Sequence, residues 1–372
     1  MSVTQTPEAA TRAAPAHAAK RATPVYPLPR RLLSPQFFDF WARHFSPTLS
    51  WSRPLARVVE RRAASASAVT LVLKPNSHWR GAAPGQHINL SVEIDGARHT
   101  RSYSLAAPVR ADGCIEITVA EHAGGRVSPH LNHALQVGDV VELGQAFGEL
   151  TLPAKVQGEW LLLSAGSGIT PLMALIRQLA VQQMPVPLTL LYWEKQAQDL
   201  CFADELRALA ARWPNFRVEF QLTRAPGDPS DRINAESLAA LVPDLATKQV
   251  YACGSGGFVE AARALCVSAK SFTAEGFTPA PSVHAETGTA QVTLARSGRV
   301  LELPRDRPLL LALEEQGIRP AFGCRMGICN TCSCEKLAGS SRDLRSGALD
   351  DEARSPVRLC IHSAASDLTL DL

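Results

Sequence analysis

Four of the nine cysteines fall between Cys324 and Cys334, in the stretch GCRMGICNTCSC that begins at Gly323. Thiols crowded like this serve a disulfide knot, a zinc site or an iron–sulfur cluster. A knot needs an oxidising compartment. The N-terminal stretch MSVTQTPEAATRAAPAHAAKRATPV has no apolar run of the kind a secretory signal carries, so the expected setting is cytoplasmic and reducing. Zinc favours paired C-x2-C knuckles, and only one such pair exists here. Cys324, Cys329 and Cys332 instead stand in C-x4-C-x2-C order, with Cys360 after a gap of 27 residues. That spacing favours a 2Fe–2S cluster held by Cys324, Cys329, Cys332 and Cys360. Gly323 and Gly327 let the backbone wrap closely around it. Cys334 reads as a small buried hydrophobe in the strand after the loop.

Two further motifs suit phosphates and flat rings. In RSYSL, Arg101 offers a forked cation, Tyr103 a flat face and Ser104 a hydroxyl donor. In GGRVS, Gly125 and Ser128 open a predicted helix, PHLNHAL, whose first N–H groups could face a phosphate. The plainer alternative is an N-cap by Ser128.

A second nucleotide signal follows the strand WLLLS. In AGSGITP, Gly166 and Gly168 permit close approach, Thr170 can cap, and Pro171 suits the first helical turn. YACGS ends a later strand of the same sheet, which puts Cys253 and Gly254 where nucleotides bind. The alternative for Cys253 is a buried, inert thiol. After the strand FRVEFQL, Thr223 and Arg224, with Arg232 nearby, could hold a 2′-phosphate, which favours NADPH over NADH. A plain surface arginine is the competing reading of Arg224.

These residues need three scaffolds. From about residue 55, short alternating strands (VTLVLKP, GQHINLSVEI, RHTRSYSL, CIEITVAE, VVELG) predict an antiparallel barrel. From residue 159, strands alternate with helical stretches of the length that builds a parallel doubly wound sheet. EGFTPAPSVHAETGT reads as a linker, and AQVTLARSGRVLELP as a hairpin opening the last unit. The expected division is 1–54 lead and aromatic segment, 55–155 antiparallel barrel, 156–275 nucleotide domain, 276–289 linker and 290–372 cluster domain. A net charge of +3 without a strong basic run argues against nucleic acid, and no apolar run reaches the length of a membrane span. The segment RRLLSPQFFDFWARHFSPTLSW is dense in aromatics. It is expected to strap onto the barrel or the cluster domain. Docking on a membrane-bound acceptor, and so a peripheral location, is the alternative.

Residues 290–372 resemble a plant-type ferredoxin domain, an α+β β-grasp fold, with LLLALEEQG as its helix. RSYSL and GGRVS, together with Gly85-Gln86-His87 and Gly148-Glu149-Leu150, resemble the flavin domain of the ferredoxin–NADP reductase superfamily. The resemblance implies FAD, with Arg101 on its diphosphate, Tyr103 on the isoalloxazine and Ser104 near the reactive nitrogen. His87, Gly125, Val127 and Ser128 belong to the same cofactor site. It implies NADPH (or NADH) held by Gly166, Gly168, Thr170, Arg224, Cys253 and Gly254. His284-Ala285-Glu286 resembles the superfamily's His-x-Glu, which would make Glu286 catalytic beside Ser104 and Cys253. Two departures stand out: Ser255 where Pro is usual, and Thr287 where Phe is usual.

The domain order resembles the fused oxygenase and desaturase reductases. The aromatic segment and the LTLP after the barrel resemble the branch serving membrane fatty-acid (acyl-CoA) desaturases. The implied activity is electron transfer from NAD(P)H through FAD to the cluster, and on to such a desaturase. A Rieske-type or other non-haem oxygenase is the alternative acceptor, and a non-turnover redox sensor the rival of another class.

Overall fold

The structure is a computed structural model. It describes residues 34–42, 44–223, 232–277, 286–323, 325, 327 and 330–372.

Six strands form the first sheet: β1 (Leu55–Ser65), β2 (Ala68–Pro75), β3 (His87–Ile94), β4 (Ala97–Ser104), β5 (Ile115–Ala120) and β6 (Val140–Leu143). Their order is β4-β3-β6-β1-β2-β5, antiparallel throughout. A bridge between Leu105 and Ile117 joins the two edges and closes the expected barrel. Val58, Leu71, Ile88, Leu90, Ile115 and Ile117 fill it and are fully buried. Asp95 and Gly96, both at positive φ, make the tight turn between β3 and β4. β1 was not expected from the sequence. Its second half, with Glu60, Arg61 and Arg62, lacks an apolar face, and pairing with β2 holds it in the sheet.

The second sheet is parallel and comprises β7 (Glu159–Ala165), β8 (Leu188–Glu194), β9 (Phe216–Leu222), β10 (Lys248–Gly254) and β11 (Ser271–Gly276). Its order is β11-β10-β7-β8-β9. The chain therefore reverses direction of build between β7 and β10, where a crevice opens at the carboxyl ends. Helices Ile169–Val181 and Ala203–Arg212 cover one face, and Ala235–Leu241 and Gly256–Leu265 the other. Both faces are buried, which explains the near-continuous apolar run of β7.

Barrel and parallel sheet share a core. Ala68 and Leu150 from the barrel side pack in one cluster with Leu172, Leu175 and Ile176. Arg177 adds a polar tie, donating to Ala106 O at 2.9 Å and pairing with Glu116 at 3.2 Å and Glu205 at 2.6 Å.

The C-terminal unit is a mixed sheet of β12 (Thr289–Leu294), β13 (Arg299–Pro304), β14 (Ser333–Ala338), β17 (Ser355–Arg358) and β19 (Leu368–Leu370), ordered β13-β12-β19-β14-β17. Helix Leu309–Glu315 packs across it. Among the described residues, its apolar core draws only on this unit. A small second sheet is made by β15 (Ser341–Asp343), β16 (Leu349–Asp350) and β18 (His362–Ala364).

The aromatic segment is strapped down only in part. Asn76 Nδ2 donates to Thr48 O and Arg53 O, at 2.9 and 3.0 Å, and His78 Nε2 meets Ser50 O at 2.8 Å. Helix Pro35–Ala42 buries Ala42 but leaves its rings exposed, contrary to a strap that covers them.

Candidate functional site

β4 ends at the crevice, and its register with β3 sets the flavin-side residues. His87 pairs with Ser104, Ile88 with Tyr103 and Leu90 with Arg101. A cavity of about 180 Å³ is lined by His87, Tyr103 and Ser104 from the barrel, and by Ser167, Thr170, Glu275 and Phe277 from the nucleotide domain. Burial pushes the Tyr103 phenol well up, so the ring stays neutral. Arg101 is half-buried and makes no ion pair among the described residues; its guanidinium donates to Thr100 O at 2.7 Å. Burial, then the neighbouring Arg325, lowers its pKa. A desolvated guanidinium without a carboxylate fits a diphosphate. Gly148 stands at φ +116, and a Cβ there would lie 2.6 Å from the His87 ring.

The Gly125–Ser128 turn forms, but Ser128 is not the cap. Its Oγ accepts from His122 N at 3.0 Å, closing the loop, and Arg126 occupies the N-cap position. The helix expected over PHLNHAL is a single turn, Val127–Pro129, followed by a wider turn over His130–Ala134. Val127 is buried beneath it.

On the nucleotide side, Gly166 (φ +55) and Gly168 make a turn into helix Ile169–Val181. A Cβ on Gly168 would sit 2.0 Å from Cys253 O, so this loop lies directly on the end of β10. Thr170 does not cap: it lies inside the helix and donates to Ser167 O at 2.9 Å. Cys253 is fully buried, and burial followed by the Glu275 charge pushes its thiol well above the ordinary value.

Glu275 was not singled out in the sequence. It stands beside Cys253 in the parallel register of β10 and β11, and its Oε1 lies 3.1 Å from His87 Nδ1 across the domain boundary. Phe277, two residues on, lines the same cavity. The available signal is an acid and a phenylalanine closing the last strand of the sheet, masked because the linker-like stretch EGFTPAPSVHAETGT opens at Glu275 itself. Glu286, the expected catalytic acid, is not brought to this cavity. Its carboxylate is engaged by Arg305, and by Arg342 at 2.5 Å, both in the ferredoxin unit, so its role here is an ionic tie. Arg224 and His284 lie outside the described residues.

The cluster loop wraps as expected where it is described; Cys324 and Cys329 lie outside the described residues. Cys332 and Cys360 are buried, and Gly327 N donates to Cys360 Sγ at 3.1 Å. An N–H aimed at a cysteine sulfur is what a negatively charged cluster needs. Gly327 stands at φ +73 with Ile361 2.5 Å from where a Cβ would be, and Arg325 and Asn330 are also left-handed. Cys334 sits in β14 opposite Val357, partly buried against the core, its thiol pushed up to about 12 by burial and by Cys332. The loop touches the barrel: Asn89 Nδ2 donates to Thr331 Oγ1 at 3.4 Å, and Arg325, paired with Glu314 at 2.5 and 2.8 Å, neighbours Arg101. The residues present therefore fit both groups, a flavin with its diphosphate in the barrel cleft and a 2Fe–2S centre in the loop.

Three known families match in the same order. They are the oxidoreductase FAD-binding domain over residues 56–151, the oxidoreductase NAD-binding domain over 162–264, and the 2Fe-2S iron-sulfur cluster binding domain over 292–364. The chain is 32% identical over 351 residues to an NADPH oxidoreductase of Mycobacterium tuberculosis, covering 92% of this chain and 90% of that one. It is 33% identical over 281 residues to the ferredoxin reductase component of 3-ketosteroid-9-alpha-monooxygenase from the same organism, covering 69% and 75%. Phthalate dioxygenase reductase shares the fold with a TM-score of 0.58 at 23% identity, over 86% of this chain and 97% of that one. With FAD and NAD(P)H as the cofactors of its first two domains and a 2Fe–2S cluster in its third, the chain belongs to the oxidoreductases of ferredoxin–NADP reductase type that carry their own ferredoxin domain.

Proposed function

We propose that this NAD(P)H-dependent reductase delivers its electrons to a membrane fatty-acid (acyl-CoA) desaturase, working in the cytoplasm and peripherally at the membrane. The observation that carries the acceptor is the ring-bearing face of helix Pro35–Ala42, left in solvent beside the barrel. The match to the NADPH oxidoreductase supports the NADPH-dependent reductase activity itself. It spans more of the chain than residues 55–372 occupy, so it reaches into this segment.

Each group then has a part. Arg101 holds the FAD diphosphate, Gly125, Val127 and Ser128 line its phosphates, and Tyr103 and Ser104 orient the ring, with His87 beneath. Gly166, Gly168, Thr170 and Gly254 receive the pyridine nucleotide, Arg224 its 2′-phosphate, and Cys253 the nicotinamide. Glu275, 3.1 Å from His87, lines the cavity where the reacting rings would meet. Bound FAD supplies the conversion of a two-electron donor into single electrons. Cys324, Cys329, Cys332 and Cys360 hold the cluster that accepts them, and the Asn89–Thr331 contact keeps its loop on the flavin barrel.

A second acceptor is favoured by the relatives named as monooxygenase components: a Rieske-type or other non-haem oxygenase. The test is reconstitution. NADPH-driven turnover of a desaturase in proteoliposomes, lost when this protein is omitted, supports the first acceptor. Reduction of a soluble oxygenase at a matching rate, with none of the desaturase, replaces it. Steady cytochrome c reduction by NAD(P)H excludes the sensor reading.

A further inference from the structure

Phe37, Phe38, Phe40, Trp41, Phe45 and Trp51 lie within fifteen residues and are 36% to 85% exposed. Apolar rings in this density call for a cover. They are nevertheless fixed. Phe38 stands edge-on to Trp51 with centroids 5.4 Å apart, and Phe40 to Trp41 at the same distance. Asp39 accepts from Trp51 N at 2.7 Å and Ser50 Oγ at 3.2 Å, and Arg53 lies 3.4 Å from it. The result is a held platform rather than a loose tail.

Charge is distributed to match. Residues 1–33 carry five basic side chains against one acidic, leaving 33 against 34 in the rest of the chain. Position matters as well. Pro47 and Arg53 line a groove of about 390 Å³ with Ser91 and Glu93 of β3. Two residues along that strand from Ser91, roughly 7 Å away, Asn89 reaches Thr331 of the cluster loop. The groove beside the ring segment and the contact with the cluster loop thus lie along one strand, β3, of the barrel.

We propose that this platform seats the protein on an anionic lipid bilayer, rings in the interface and basic residues over the headgroups, holding the cluster-loop edge of the barrel near the membrane. It rests on the peripheral location proposed above, not on the identity of the acceptor. A bilayer suits the pattern better than a protein pocket. The positive charge is spread along an Ala-, Pro- and Thr-rich stretch, which matches a diffuse anionic surface and not a shaped one.

The test is flotation of the full-length holoprotein with phosphatidylglycerol-rich vesicles and with pure phosphatidylcholine vesicles. The wild type should float with the first and much less with the second. The triple variant Phe40→Ser, Trp41→Ser, Phe45→Ser should bind more than about tenfold more weakly, with flavin absorbance and NADPH–ferricyanide turnover unchanged. A wild type that stays soluble with both vesicles at low salt overturns the proposal. So does a triple variant that floats as well as wild type, since charge alone would then suffice. Loss of acceptor coupling in detergent with flotation intact would assign the rings to a protein contact instead. Failure of the reductase reading would appear separately, in the ferricyanide assay without vesicles.

Discussion

His87 at the start of β3 and Glu275 at the end of β11 meet at 3.1 Å across the boundary between barrel and parallel sheet, both nearly buried. Cys253 is the register partner of Glu275, so three side chains from two domains converge at one spot. Glu275→Gln keeps the shape and removes the charge. We expect flavin reduction by NADPH to slow by a factor of ~10² in stopped-flow absorbance, with little change in NADPH affinity. An unchanged rate would remove Glu275 from the chemistry.

The same burial fixes the protonation state of Cys253. Its thiol is pushed well above the ordinary value, first by burial and then by Glu275. Since burial disfavours the thiolate, the neutral thiol persists through and beyond the pH at which an exposed cysteine ionises. Iodoacetamide labelling of Cys253, read by mass spectrometry, should therefore stay low and flat from neutral pH to pH 9. A rise following an ordinary thiol titration would contradict the buried environment.

Gly166 and Gly168 should separate in a pair of alanine variants. At Gly168 the new Cβ meets the fixed backbone of Cys253 at 2.0 Å, an overpacking cost of about 2 kcal/mol or more. At Gly166 the nearest atom is 3.8 Å away and only the positive φ resists, roughly 1 kcal/mol. Thermal melts should rank Gly168→Ala below Gly166→Ala, and equal melting temperatures would refute the close approach.

The ligand set is open to a direct comparison. Cys360→Ser should abolish or grossly shift the EPR signal of the reduced cluster, whereas Cys334→Ser, in β14 and facing the core, should leave it intact. The reverse pattern would exchange the two assignments.

We propose Arg224 as the residue that selects the coenzyme. Arg224→Ala should lower kcat/KM for NADPH by about tenfold and leave NADH nearly unaffected. A constant NADPH/NADH ratio would show that another residue selects.

The cysteine spacing and the strand–helix alternation were legible because each reflects a strict local demand: sulfurs around one small centre, and apolar strands buried on two faces. Residues whose meaning depends on distant partners were not. Glu275 is an ordinary acid at a strand end until folding brings His87 and Cys253 to it. Glu286 resembled a catalytic acid in sequence, yet Arg305 and Arg342 claim it. By type and position an N-cap was the plainer alternative for Ser128, and Thr170 could cap its helix. Their hydroxyls bond to a neighbouring loop and to the preceding turn instead, contacts that depend on backbone path. β1 escaped notice because its charged half gains its place from pairing rather than from pattern.

Ala68 and Leu150 share an apolar cluster with helix Ile169–Val181, so barrel and parallel sheet cannot part without opening that cluster to water. Among the described residues, the apolar core of the ferredoxin unit draws on its own side chains. Heat or oxidant that strips iron from the loop would thus melt a small terminal module and spare the flavin half, giving two separate calorimetric transitions. The damaged chain would still consume NAD(P)H and reduce soluble dyes while its wiring to the acceptor is cut. A chain built in this way fails at its iron end first.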